Sequence, residues 1–296
     1  MKIKTFLLSL GIVFIIFSSC NHKKETMTTT KESDTNIVFL HHSTGNYIWN
    51  GTKRTFIIKV VNRISDSLAD LMTKSPRVPA YIQAHNEENK TNYHITEMPF
   101  PKASPYGWNN YPYDYYNIWV KHAGQDTYME EPTLEILTKD YQVIIFKHCY
   151  PSSNIQADQD SADINSDIKT LANYKLQYNA LKKKMHEFPN TKFILFTGAV
   201  QVQHNLSEEE SIRAKAFHEW VINEWNEKDD NIYLWDLYSL QTEGGLYFKD
   251  KYALTTHDSH PGGDFSKRVS RLFVNRIIDV VENNGMKTTM TGEQLK

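Results

Sequence analysis

Ser43 stands where an apolar run, Ile37-Val38-Phe39-Leu40, gives way through His41-His42 to Ser43-Thr44-Gly45. A short apolar run rich in branched residues reads as a buried strand, and the ground beyond its carboxyl end is where α/β folds bind ligands. A serine there is a candidate nucleophile. It stays weak until a base takes its proton, and histidine can do this near neutral pH. Far along the chain, Thr256-His257-Asp258-Ser259-His260-Pro261-Gly262 offers His260 as that base and Asp258 as the nearest carboxylate to orient it. Together Ser43, His260 and Asp258 suggest a serine hydrolase. Each also has a plain structural use. Ser43 could cap a helix, and Asp258 could cap its own turn, leaving His260 in a dyad or supported by a carbonyl.

A developing oxyanion needs donors. The backbone N–H of Ser43, an N–H in the loop after a second strand and the side-chain amide of Asn154 are candidates, with Thr44 and Gly45 shaping the region. For these residues to meet, their elements must share an edge. Strands are expected at 93–98, 141–146, 192–198 and 231–237, besides the one before Ser43. Helices are expected at 55–72, 168–188, 207–225 and 264–281, the third opening on Ser207-Glu208-Glu209-Glu210. Such alternation predicts a mostly parallel sheet covered on both faces, its carboxyl ends aligned. Asp236, closing the fifth strand, reads as structural.

The order of these blocks resembles the SGNH, or GDSL-type, hydrolase superfamily. That resemblance implies a three-layer α/β/α sandwich with a flavodoxin-like, mostly parallel five-stranded sheet. It also implies metal-free, cofactor-free hydrolysis of an ester, commonly an acetyl or short acyl group on a carbohydrate. It carries the serine role to Ser43, the closing block to Asp258 and His260, the asparagine to Asn154 and the second-block glycine to Gly107. The sequence departs from the pattern in three places. His41-His42 replaces the Gly-Asp before the serine. Asp258 lies two residues before His260, where the family has three and this chain has His257. The asparagine block is spread over 147–154.

Two rival readings come from other classes. His41, His42, His257, His260 and His148 could form a metal site that activates water. Adjacent strand residues point to opposite faces, so His41 and His42 cannot both ligate from regular strand geometry. Alternatively, the chain is a glycan-binding surface lipoprotein with a degenerate site. The aromatic segment 106–119, rich in Tyr and Trp, could be a sugar-facing wall or simply pack over the sheet.

The ends and composition set the frame. Lys2 and Lys4 precede an apolar stretch and then Ser18-Ser19-Cys20, which reads as a secretory signal over 1–19. Small residues before Cys20 resemble a bacterial lipobox, although Phe17 stands where Leu or a β-branched residue is usual. The expectation is a Cys20-lipidated chain at the periplasmic or outer surface of a membrane, with plain secretion or an uncleaved anchor as alternatives. A flexible tether is expected over 20–35, one domain over 36–283 and a polar tail over 284–296. A net charge of −2 with no long basic block gives no reason to expect nucleic acid, so the partners expected are a small or glycan ester and the membrane holding the anchor. With Cys20 lipidated, Cys149 is the remaining cysteine, which excludes an internal disulfide.

Overall fold

The apolar runs pair with one another at the centre of the molecule. In the computed structural model, which describes residues 34–51, 76–159 and 161–295, β1 (Thr35–His41) lies between β2 (Tyr93–Pro99) and β3 (Val143–Phe146). Beyond β3 follow β4 (Lys192–Phe196) and β5 (Ile232–Trp235), giving the order β2-β1-β3-β4-β5 with every pair parallel. The expected signal segment, Cys20, the tether as far as residue 33 and the helix expected at 55–72 lie outside the described residues, while Thr35, expected to end the tether, opens β1.

Alternation along β1 divides the core. Ile37 and Phe39 pack with α1 (Thr44–Asn50), α2 (Arg77–Asn89), the short α7 (Leu237–Thr242) and the long α8 (Gly263–Asn283). Val38 and Leu40 face α3 (Pro112–Tyr116), α4 (Leu134–Asp140), α5 (Leu171–His186) and α6 (Glu208–Trp220). Both faces of the sheet are buried, and the fold is the three-layer α/β/α sandwich expected. Thr170 caps α5, and Ser207 with Glu210 forms a capping box on α6.

Several elements escaped the periodicity. Only Val78 and Ile82 of α2 are buried, too thin an apolar stripe to register, while α4 and α7 span two turns at most. The loop expected to carry His260 is a hairpin of β6 (Ala253–Thr255) and β7 (Asp258–Pro261). The aromatic segment forms α3 and a further π-helical turn, Asn117–Lys121. Tyr111, Tyr115 and Trp119 are buried there, with Tyr115 set edge-on to Trp119 at 4.9 Å, so this stretch is largely core and not a sugar-facing wall.

Asp114, in the first turn of α3, accepts the N–H groups of Asn109 (2.7 Å) and Asn110 (2.6 Å). Burial nevertheless raises its pKa from 3.8 to about 7, the donors pulling the other way. A carboxyl raised in the folded state stabilises most below its unfolded pKa and loses that contribution as pH rises through the folded one. Asp114 should therefore erode stability between pH 3.8 and about 7. Urea midpoints across this range should fall less steeply in Asp114→Asn than in the parent; parallel curves would refute the assignment.

The segment expected as a polar tail is tied to the domain. Asp279 of α8 accepts the N–H of Lys287 (2.9 Å) and, from Thr288, the N–H (2.8 Å) and hydroxyl (2.6 Å). Its ion-pair partner Arg276 reaches the Leu234 carbonyl at 3.0 Å and that of Gly285 at 2.8 Å. Asp236 N–H donates to Met290 O (2.9 Å) and Trp235 Nε1 to Thr291 O (3.1 Å). Removing one member of a buried pair strands the other charge, so Asp279→Ala should cost about 3–5 kcal/mol in chemical denaturation. A loss under ~1 kcal/mol would show that these contacts contribute little.

Candidate active site

β1 ends at His41 and α1 starts at Thr44, leaving Ser43 as a hinge with φ 24° and ψ −84°, outside both helical and extended regions. A conformation of this kind persists only where its surroundings hold it. The turn is tight: Gly45 N–H donates to the His42 carbonyl at 2.8 Å. A Cβ on Gly45 would lie 2.5 Å from the His41 side chain, so no larger residue fits. Thr44 is buried beside them, its hydroxyl without a partner among the described residues.

The two histidines before Ser43 brace this turn. His41 Nε2 pairs with Glu97 Oε2 of β2 at 2.9 Å while its ring lies on Phe39, 4.2 Å between centroids. His42 Nε2 donates to the Pro101 carbonyl at 2.5 Å. Burial lowers the pKa of both. His148 is enclosed, and burial pushes its pKa down to about 3. The His257 ring lies 3.9 Å from that of His204, tilted by 54°. These five histidines therefore do not converge as the metal reading requires. Among the described residues the group that does gather donor atoms, His186, Glu227 and Asp230, involves none of them.

His260 is held in a defined orientation. Asp258 Oδ1 accepts both the His260 backbone N–H (3.0 Å) and ring Nδ1 (2.6 Å), which makes Nδ1 the protonated nitrogen and leaves Nε2 as the basic one. The two-residue spacing succeeds because alternate residues of a strand share a face. Ser259, between them, points inward and accepts the Val202 N–H at 3.1 Å, fixing the hairpin. The imidazole sits between two tyrosines. Tyr47, one turn into α1 from Ser43, lies 5.0 Å away, and Tyr150, next to Cys149, meets it edge-on at 5.2 Å.

The loop after β3 completes the floor. Because Leu40 is registered with Phe146, the residues beyond them run side by side, and Ser43 Oγ lies 3.9 Å from Cys149 Sγ. Lys147 is buried beneath, Nζ donating to Cys149 Sγ (3.5 Å) and the His42 carbonyl (3.4 Å). Burial lowers its pKa, and Cys149 opposes the shift. Ser43, Thr44, Gly45, Asp258 and His260 are thus drawn into one region. No hydrogen bond links Ser43 Oγ to His260 here; such bonds are often long in a site without substrate.

Two expected residues are engaged elsewhere. Asn154 accepts from Gln201 Nε2 at 2.5 Å, and its own amide donates to Glu210 Oε1 at 3.5 Å, so it ties the β3 loop to the α6 cap. Gly107 has φ 77° and its N–H donates to the Ala103 carbonyl at 2.5 Å, inside its own turn. The hydrogen bonds of both residues lead away from Ser43. Sequence reasoning missed Lys147, Cys149, Tyr47 and Tyr150. The available signal for three of them is the polar run Lys147-His148-Cys149-Tyr150 directly after the third strand.

No protein-family model and no curated protein matches the chain. Among solved structures it is similar to a carbohydrate esterase whose active site is described as displaying "divergent catalytic and non-catalytic binding functions". The two are 13% identical with a TM-score of 0.35, over 83% of this chain and 65% of that one. The chain thus spans just under two thirds of that structure, a distant likeness from which no residue role is taken.

Proposed function

We propose that this protein is an extracytoplasmic serine esterase that removes an acetyl or short acyl group, with a carbohydrate as the favoured alcohol component. The observation that carries this reading is the Asp258–His260 pair, which leaves Nε2 as the basic nitrogen of a ring packed on Tyr47 of α1, the helix that follows a serine held in a strained turn. In this reaction Ser43 Oγ attacks the ester carbonyl and its proton passes to His260 Nε2. The tetrahedral oxyanion is met by the Ser43 N–H, and Asp258 stabilises the imidazolium. The alcohol leaves with the proton from His260. Water then enters, His260 takes its proton, and the acid departs as Ser43 Oγ is reprotonated. Tyr47 and Tyr150 offer ring faces of the kind that pack on sugars.

Turnover of p-nitrophenyl acetate and acetylated sugars tests the reading. Ser43→Ala and His260→Ala should each lose about 10³-fold or more in kcat, and Asp258→Asn about 10²-fold or more, with folding retained. Undiminished turnover by Ser43→Ala would end it. Absence of fluorophosphonate labelling at Ser43, together with glycan binding, would instead favour a degenerate binding protein.

The lipid anchor belongs to the same proposal, on the strength of the signal-like 1–19 segment and Cys20. Labelled palmitate fed to a bacterial host should enter the wild-type chain and the protein should sediment with membranes. Cys20→Ser should lose both properties; label retained in Cys20→Ser would exclude lipidation at that residue.

A further inference from the structure

Lys147 is 1% exposed, and among the described residues no carboxylate pairs with it. A lysine amine buried without a counter-charge is expensive in either protonation state, and an apolar side chain of the same length would fill the space at lower cost. What it touches is the turn that carries Ser43. Its Nζ donates to the His42 carbonyl, which also accepts the Gly45 N–H, and to Cys149 Sγ, which lies against Ser43 Oγ.

The peptide between His42 and Ser43 is trans, so its C=O and N–H point in opposite directions. With the carbonyl held inward by Lys147 and Gly45, the Ser43 N–H is turned away from the protein floor. We propose that Lys147 is a positioning residue for Ser43, its Nζ holding the His42 carbonyl so that the Ser43 N–H is presented to the oxyanion. The proposal rests on Ser43 being the nucleophile. It explains why a backbone at φ 24° stays in place, and why the floor of the site carries a hydrogen-bond donor instead of a hydrocarbon. Cys149 Sγ stands between Lys147 Nζ and Ser43 Oγ, so Lys147 acts through its neighbours.

Lys147→Met and Lys147→Arg in the full chain, with Ser43→Ala alongside, test this. Two reactions are read. One is p-nitrophenyl acetate hydrolysis, giving kcat and KM. The other is labelling by a fluorophosphonate, in which the Ser43 Oγ–P bond forms, the P–F bond breaks, fluoride leaves and the serine proton passes to His260. Lys147→Met should lower kcat and the maximal labelling rate by about 100-fold, the effect of a lost oxyanion donor. KM and the inhibitor's binding constant should stay within about threefold, because ground-state binding is untouched. Its Tm should equal or exceed the parent's, since a desolvated polar group has been replaced by an apolar one. Lys147→Arg, keeping charge and donors, should recover at least about tenfold of the loss. A folded Lys147→Met with parental rates, a folded Lys147→Arg with no recovery, or a Lys147→Met that does not fold would each overturn the proposal, the last by assigning Lys147 to the fold alone. Parental turnover and labelling by Ser43→Ala would overturn the serine reading itself, whatever Lys147 does.

Discussion

Parallel pairing of β1 with β3 is the constraint on which the rest of the structure depends. Neighbouring strands lie about 4.8 Å apart, so the register Leu40 to Phe146 makes neighbours of whatever follows each strand. Ser43 and Cys149 meet for that reason, though 106 residues separate them. The register is hard to shift. Phe39 belongs to one core and Leu40 to the other, and a slip of one residue would exchange the faces of every side chain in β1. Apolar packing on both sides of the sheet therefore positions the polar groups at its edge.

Histidine and aspartate pair twice in this molecule, with different consequences. His218 and Asp236 meet at 2.9 Å, and Asp236 also accepts the Thr197 hydroxyl and the Ser239 N–H at the start of α7. Burial pushes the Asp236 pKa up, but these bonds prevail and it ends below its ordinary value. That pair is closed upon itself and serves the fold. Asp258 and His260 lie on β7, Asp258 directly after the turn from β6, and Asp258 holds His260 through its backbone N–H and its Nδ1. The first pair is enclosed, whereas the second lies on a hairpin strand with both side chains partly exposed.

Much of the fold was legible because buried strands and long amphipathic helices leave strong patterns. The runs in β1, β3 and β4 are continuous and apolar, and α5, α6 and α8 keep helical spacing near their observed limits. Short or thinly buried elements were not legible, since α4 has seven residues and α7 six. At the site, Ser43, Asp258 and His260 could be named because each stands directly beside a strand or within a short distinctive block. Asn154 stands out in the loop after the third strand and Gly107 only by following the second, and the hydrogen bonds of both lead elsewhere.

The sequence alone determined the fold class, the strand-to-serine junction and the presence of a histidine with a carboxylate two residues away. Those properties are local: they follow from which residues are apolar, at what period, and which polar groups interrupt them. Only the tertiary structure decided that His41 and His42 brace the turn, that Asp258 turns His260 by its Nδ1, and that Cys149 and a buried Lys147 lie under Ser43. These depend on register, crossing strands and desolvation. Such quantities arise only when distant segments share one edge of a sheet, and no stretch of the chain carries them by itself.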